Sequence, residues 1–91
     1  MMDYEFRWIP WNIAHIGEHG VTPAEAEYVI THARRPYPRR IVNEKYLVHG
    51  QSDAGRYLQV IFLLDAGDTV FVIHAMPLTP RQKHQFRRRQ P

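Results

Sequence analysis

His15 and His19, four residues apart, are the first residues of the chain whose type and spacing could do chemistry. On a helix that spacing puts both imidazoles on one face, as in zinc sites built on a single helix. The neighbouring residues argue against a metal: no Glu follows His15, Gly17 lies between the pair, and no third ligand announces itself. His19, beside Gly20, suits the carboxyl end of a helix, where the dipole favours a partly protonated imidazole. His15 can add to an aromatic surface with Trp8 and Trp11.

The second kind of chemistry is electrostatic. Nine of the twelve Lys and Arg fall in HARRPYPRR (32–40) and RQKHQFRRRQP (81–91), and no Asp or Glu lies between Glu27 and Glu44 or after Asp68. Clusters of this kind, within a net charge of only +3, suit a polyanion such as nucleic acid, or an acidic protein partner. A solvated surface that keeps a small protein soluble has the same composition. Cysteine is absent, which excludes disulfides, thiolate nucleophiles and zinc ribbons. The opening MMDYEF lacks a basic start and an apolar run, and no apolar stretch approaches the roughly 20 residues that span a bilayer. A soluble, cytoplasmic protein without membrane contact is the expectation.

The elements that must position these residues follow from periodicity and punctuation. Ninety-one residues, 1–91, form a single domain with one small core. Tyr4 to Trp8 (YEFRW) alternates and is aromatic, so it reads as a short strand ended by Pro10. WNIAHIGEH reads as a short helix closed by His19-Gly20, and Thr22-Pro23-Ala24-Glu25 starts another with cap, proline and an acceptor at the third position. That second helix should run to about Ala33 and bury Ala26, Val29, Ile30 and Ala33. Three strand-like runs follow, RIVNEKYLVHG (40–50), GRYLQVIFLLD (55–65) and DTVFVIHA (68–75). Thr79-Pro80-Arg81-Gln82 then repeats the helix-start grammar, with Phe86 as the packing residue of a last, basic helix. The predicted fold is α+β: a short N-terminal strand, two helices, a three-stranded antiparallel meander and a C-terminal helix, with the helices on one face of the sheet.

Symmetry about Ala66-Gly67 sets an expected hairpin register in which Asp65 opposes Asp68, Leu63 opposes Val70, and Gln59 opposes His74. Leu58, Val60, Phe62, Phe71, Ile73 and Ala75 would then face the helices. The opposite face turns polar toward Tyr57, Gln59 and His74, which is where a site is expected.

F-x-W near the start, H-G-V-T-x-x-E-A (His19 to Ala26), the triplet Glu44-Lys45-Tyr46, G-x-S-x-x-G-R-x-L-x-V (Gly50 to Val60) and I-x-A before a basic last helix occur in this order over nearly the whole chain. Together they resemble the BrnT family, small toxins of type II toxin–antitoxin pairs with a RelE-like fold. The resemblance implies a ribonuclease that cleaves RNA without a metal or other cofactor and is neutralised by a protein antitoxin, of ribbon-helix-helix type. Operator DNA would be bound only through the complex with that antitoxin.

The resemblance carries over to Glu44, to Arg56, and to the end of the last strand, where the family usually reads I-S/T-A-R and this chain has Ile73-His74-Ala75-Met76. Metal-free RNA cleavage needs a base for the 2′-hydroxyl, a cation for the phosphate oxygens and an acid for the leaving oxygen. The catalytic candidates are therefore Glu44 or His74 as base and Arg56 as phosphate clamp. Lys45, Tyr57, Arg81, Lys83, Arg87 and Arg88 are candidates for holding RNA, with Tyr46 a further donor and Arg89 part of the same rim. Glu44 and Lys45, as neighbours on a strand, would point to opposite faces. Methionine at position 76 cannot stabilise a pentacovalent phosphate as the family's arginine would. Rival expectations are a BrnT-like protein that has lost catalysis and binds an antitoxin or nucleic acid, and an interaction protein that keeps only the fold.

Overall fold

The computed structural model describes residues 4–89; residues 1–3 and 90–91, which include the start of MMDYEF and the end of the basic C-terminal stretch, lie outside it. The chain is α+β, and its element order is consistent with a RelE-like topology: β1 (Glu5–Phe6), α1 (Pro10–Gly17), α2 (Pro23–Thr31), β2 (Arg39–Arg40), β3 (Tyr46–Gln51), β4 (Tyr57–Leu64), β5 (Thr69–Pro77) and α3 (Pro80–Arg89). The five strands form one sheet in the order β1-β5-β4-β3-β2, antiparallel except for β1, which runs parallel to β5.

Both predicted helix starts form as written. Thr22 Oγ1 accepts from the Glu25 amide while Glu25 Oε1 accepts from the Thr22 amide, and Thr79 and Gln82 make the same reciprocal pair. Between α1 and α2 the chain turns through Gly20, whose φ of +71° is the left-handed conformation glycine adopts without strain. α1 starts differently. Asn12, fully buried, accepts from the Ile9 amide and donates to the carbonyls of Arg7 and Val72. β1 pairs with β5 only as far as Val70, so the Asn12 amide continues the ladder where the strand has left it.

The meander departs from expectation in three places. Residues 40–50 are not one strand: Asn43 and Glu44 have φ of 58° and 57°, and the chain reverses there, with the Ile41 amide donating to the Lys45 carbonyl. Asn tolerates this conformation, and the result is a short β2–β3 hairpin in place of a strand carrying Glu44 and Lys45 on opposite faces. At the β4–β5 turn, with Gly67 and Asp68 both left-handed, Asp65 pairs with Thr69, so Leu64 opposes Val70 and Phe62 opposes Val72. A bulge beside Ile61 then shifts the register again, leaving His74 opposite Ile61 and Met76 opposite Gln59.

These shifts exchange residues between the faces. The core face of the hairpin carries Leu58, Val60, Phe62, Val70, Val72 and Ala75, all buried, together with Ile16, Val21, Ala26, Val29 and Ile30 from α1, α2 and their connection. Phe71, expected in this core, lies on the other face, under the Arg7 guanidinium and beside Trp11. α2 approaches β3 so closely that a Cβ at Gly50 would meet Val29 at 3.2 Å.

The helices do not share one face. α3 lies across the opposite side of the sheet, where Phe86 packs on Tyr57 and Tyr37 and Gln82 reaches Gln59. The expected free face is therefore partly roofed by a basic helix. Among the described residues, no helix is long and apolar enough to cross a membrane.

Candidate nucleic-acid interface

The three residues singled out for catalysis lie in three different places. Glu44 sits on the β2–β3 turn with its side chain 84% exposed and Arg40 Nη2 3.5 Å from it. Arg56 stands just before β4, past the opposite end of β3, so the two are separated by the length of a six-residue strand, on the order of 20 Å. Its guanidinium is already engaged: Nη1 donates to both carboxylate oxygens of Glu25 at 3.0 Å and to the Gly20 carbonyl at 2.9 Å. His74 is on the β5 bulge, its ring edge-on to His19 at 5.9 Å between centroids. Burial, followed by the nearby His19 and His15, lowers its pKa from 6.5.

His15, His19 and His74 thus gather at the α1 edge of β5, with His15 stacked on Trp11. Among the described residues, no group of three or more His, Asp or Glu is arranged to hold a metal ion.

The RNA-binding candidates divide in the same way. Lys45 follows the β2–β3 turn, directly before β3. Tyr57 is half-buried between Phe86 and the Lys83 ammonium, which lies 4.7 Å above its ring. Arg81, Lys83, Arg87 and Arg88 are exposed along α3, and the last turn carries Arg87, Arg88 and Arg89 together. Three cations at a helix carboxyl end are favoured by the dipole and leave a concentrated positive rim.

Under this rim the structure joins Gln59, expected at the site, to His49, which sequence reasoning missed. His49 on β3 stands directly across from Gln59, and its Nε2 is 2.9 Å from Gln59 Oε1. Gln59 Oε1 also accepts from Gln82 on α3, so Nε2 carries the imidazole proton. Nδ1 then accepts from the Tyr37 hydroxyl at 3.4 Å. Burial lowers the His49 pKa; the Gln59 bond opposes that shift, and Arg39 and Arg89 add to it. The imidazole is accordingly neutral near pH 7, with guanidiniums close by. Its signal in the sequence was the Gly50/Gly55 loop, which sets His49 opposite Gln59 once Ser52 is paired with Arg56.

Across the sheet the row continues. His49 opposes Gln59 and Gln59 opposes Met76, so the three side chains stand side by side on the α3 face of β3, β4 and β5. The position where the BrnT pattern has arginine therefore adjoins the His49–Gln59 pair. Beside His49 a cleft of about 370 Å³ runs along β3, lined by Tyr28, His32, Gln51, Asp53 and Phe86 among others.

No protein-family model matches the chain, and no curated protein or solved structure matches it either.

Proposed function

We propose that the chain is a BrnT-like toxin acting in the cytoplasm, which binds RNA along α3 and the adjoining sheet face and cleaves it without a metal. The single observation carrying this reading is the His49 imidazole held by Gln59, which stands between it and Met76, with Arg39 and Arg89 close enough to act on it. Nδ1, the ring nitrogen without a proton, is the acceptor for a 2′-hydroxyl once the long 3.4 Å bond from Tyr37 is released, and guanidinium groups are the ones that meet phosphate oxygens. A protein antitoxin would neutralise it by covering the same positive surface.

A second reading, binding without cleavage, has its own observation. Arg56 is committed to Glu25, Glu44 stands at the far end of the sheet, and methionine occupies the family's arginine position. The two readings separate in one assay. Purified protein is incubated with RNA with and without EDTA, beside His49→Gln and His74→Gln. Cleavage that survives EDTA and is lost in His49→Gln supports the first; tight RNA binding with intact RNA supports the second.

A further inference from the structure

The two edges of the sheet are finished differently. On the β5 side, β1 pairs with residues 69–70, Asn12 takes the Val72 carbonyl, and Pro77 at the strand's end has no amide proton to offer. On the β3 side, β2 pairs only with Tyr46 and Leu47. The Ser52 amide donates to Arg56 across β4, which fixes the alternation: Tyr46, Val48 and Gly50 bond toward β4, and Leu47, His49 and Gln51 turn their amides and carbonyls outward. Arg39 takes Leu47. No strand among the described residues pairs with the outward groups of His49 and Gln51.

This open stretch forms the floor of the 370 Å³ cleft. On its α2 side the rings of Tyr28 and His32 stack at 3.9 Å; on its α3 side stand Phe86 and His49. Arg39, whose guanidinium is 5.9 Å from the Tyr37 ring, and Arg89 hold positive charge at the His49 end, whereas Asp53 lies at the other.

We infer that the outer edge of β3 at His49 and Gln51 is a strand-addition site for an extended, acidic peptide segment of a partner protein. An added strand would pair with both outward amides and carbonyls and send alternate side chains toward Tyr28/His32 and toward His49/Phe86. Its acidic residues would meet Arg39 and Arg89. Two other occupants fit less well. A nucleic-acid backbone presents mainly acceptors, with at most one 2′-hydroxyl donor per nucleotide in RNA, and so does not match the alternating amides and carbonyls of a strand edge. A second copy pairing edge to edge would bring two Arg39/Arg89 clusters together. The inference goes beyond the ribonuclease reading and stands whether or not the chain cleaves RNA.

The test uses the full chain and a fluorescein-labelled peptide of alternating Glu and Val, with a Lys/Val peptide and a backbone N-methylated Glu/Val peptide as comparisons. The expected result is binding of the Glu/Val peptide, with amide shifts and slowed hydrogen exchange centred on His49 and Gln51. N-methylation should weaken it by about tenfold or more. Gln51→Pro removes one outward amide and no bond toward β4, and should weaken it comparably, while Arg39→Glu should reverse the preference toward the Lys/Val peptide. Equal binding of the N-methylated or Lys/Val peptide would overturn the inference, as would shifts confined to another surface. Self-association that is lost in Gln51→Pro would assign the edge to a second copy, and binding of RNA but not peptide there would assign it to nucleic acid; either overturns the proposal.

Discussion

Arg56 Nη1 lies 3.0 Å from each carboxylate oxygen of Glu25, and that carboxylate also accepts the Thr22 amide at the start of α2. One acidic side chain thereby completes a helix cap and ties the helix to the entrance of β4, while the guanidinium also reaches the Gly20 carbonyl. The pair explains why the turn after α1, α2 and the β4 entrance hold a fixed relation. Glu25→Ala should destabilise the protein by about 1–2 kcal/mol, combining the lost cap with an ion pair that remains partly solvated. In a double-mutant cycle with Arg56→Ala, urea unfolding should give a coupling of about 0.5–1 kcal/mol. If Arg56 serves as this strap, Arg56→Ala lowers the unfolding midpoint and leaves RNA affinity little changed. RNA affinity lost at unchanged stability would instead assign Arg56 to phosphate.

Asn12 is the most consequential polar residue in the core. Its three hydrogen bonds satisfy the Ile9 amide and the carbonyls of Arg7 and Val72, all close to a buried side chain. Asn12→Leu keeps the branched shape at a somewhat larger volume and orphans all three groups, at a cost of about 2–4 kcal/mol. Thermal or urea unfolding reads it directly; a loss below about 1 kcal/mol would mean that water or rearrangement replaces those bonds.

Helix starts were legible because Thr-Pro-x-Glu and Thr-Pro-x-Gln write the cap chemistry into four consecutive residues. The sheet register was less so. A turn with Gly67 and Asp68 both left-handed displaces the pairing by one residue, and a bulge beside Ile61 displaces it again, so Phe71 and Val72 exchange faces. Neither event leaves a mark in the hydrophobic pattern, since Val70, Phe71, Val72 and Ile73 form an unbroken apolar run. His49 escaped notice because its partners Gln59, on β4, and Tyr37, in the loop before β2, are joined to it only by the β3–β4 register and the path of that loop, and Gln82 of α3 reaches it only through Gln59. His15 and His19, the pair with the most suggestive spacing, gained a third histidine, His74, across the bulge.

The lowered pKa values of His49 and His74 make stability depend on pH in one direction. An unfolded imidazole titrates near 6.5, above the folded value, so between the two the unfolded chain binds more protons. Stability is complete above that point and declines as pH falls through 6.5 toward the folded value. Urea midpoints at about pH 7.5 and about pH 5.5 should therefore differ, and His49→Gln with His74→Gln should shrink the difference. A difference of the same size in the double variant would place the titrating groups elsewhere.

RNA held by α3 has a salt signature. Each phosphate contact with a single strand contributes about 0.7 to the slope of log affinity against log salt. Arg87→Ala and Arg88→Ala, both exposed on the last turn, should each lower that slope by about this amount and leave unfolding unchanged within about 0.5 kcal/mol. Anisotropy titrations over a range of KCl concentrations measure the slope. A slope unchanged by both substitutions would remove α3 from the interface.

Met76 offers a test in the direction of gain. It stands opposite Gln59, whose other neighbour is His49, on the face that α3 roofs. Met76→Arg would place a fixed positive charge across Gln59 from the His49 imidazole, within reach of a phosphate held along that row. If that row is the reacting site, the variant cleaves RNA at least about tenfold faster than the parent, and the gain disappears when His49→Gln is added. The half-buried setting of Met76 predicts a modest loss of stability alongside. Faster cleavage that persists without His49 would move the base elsewhere, with His74, two residues before Met76 on the same strand, as the next imidazole to remove.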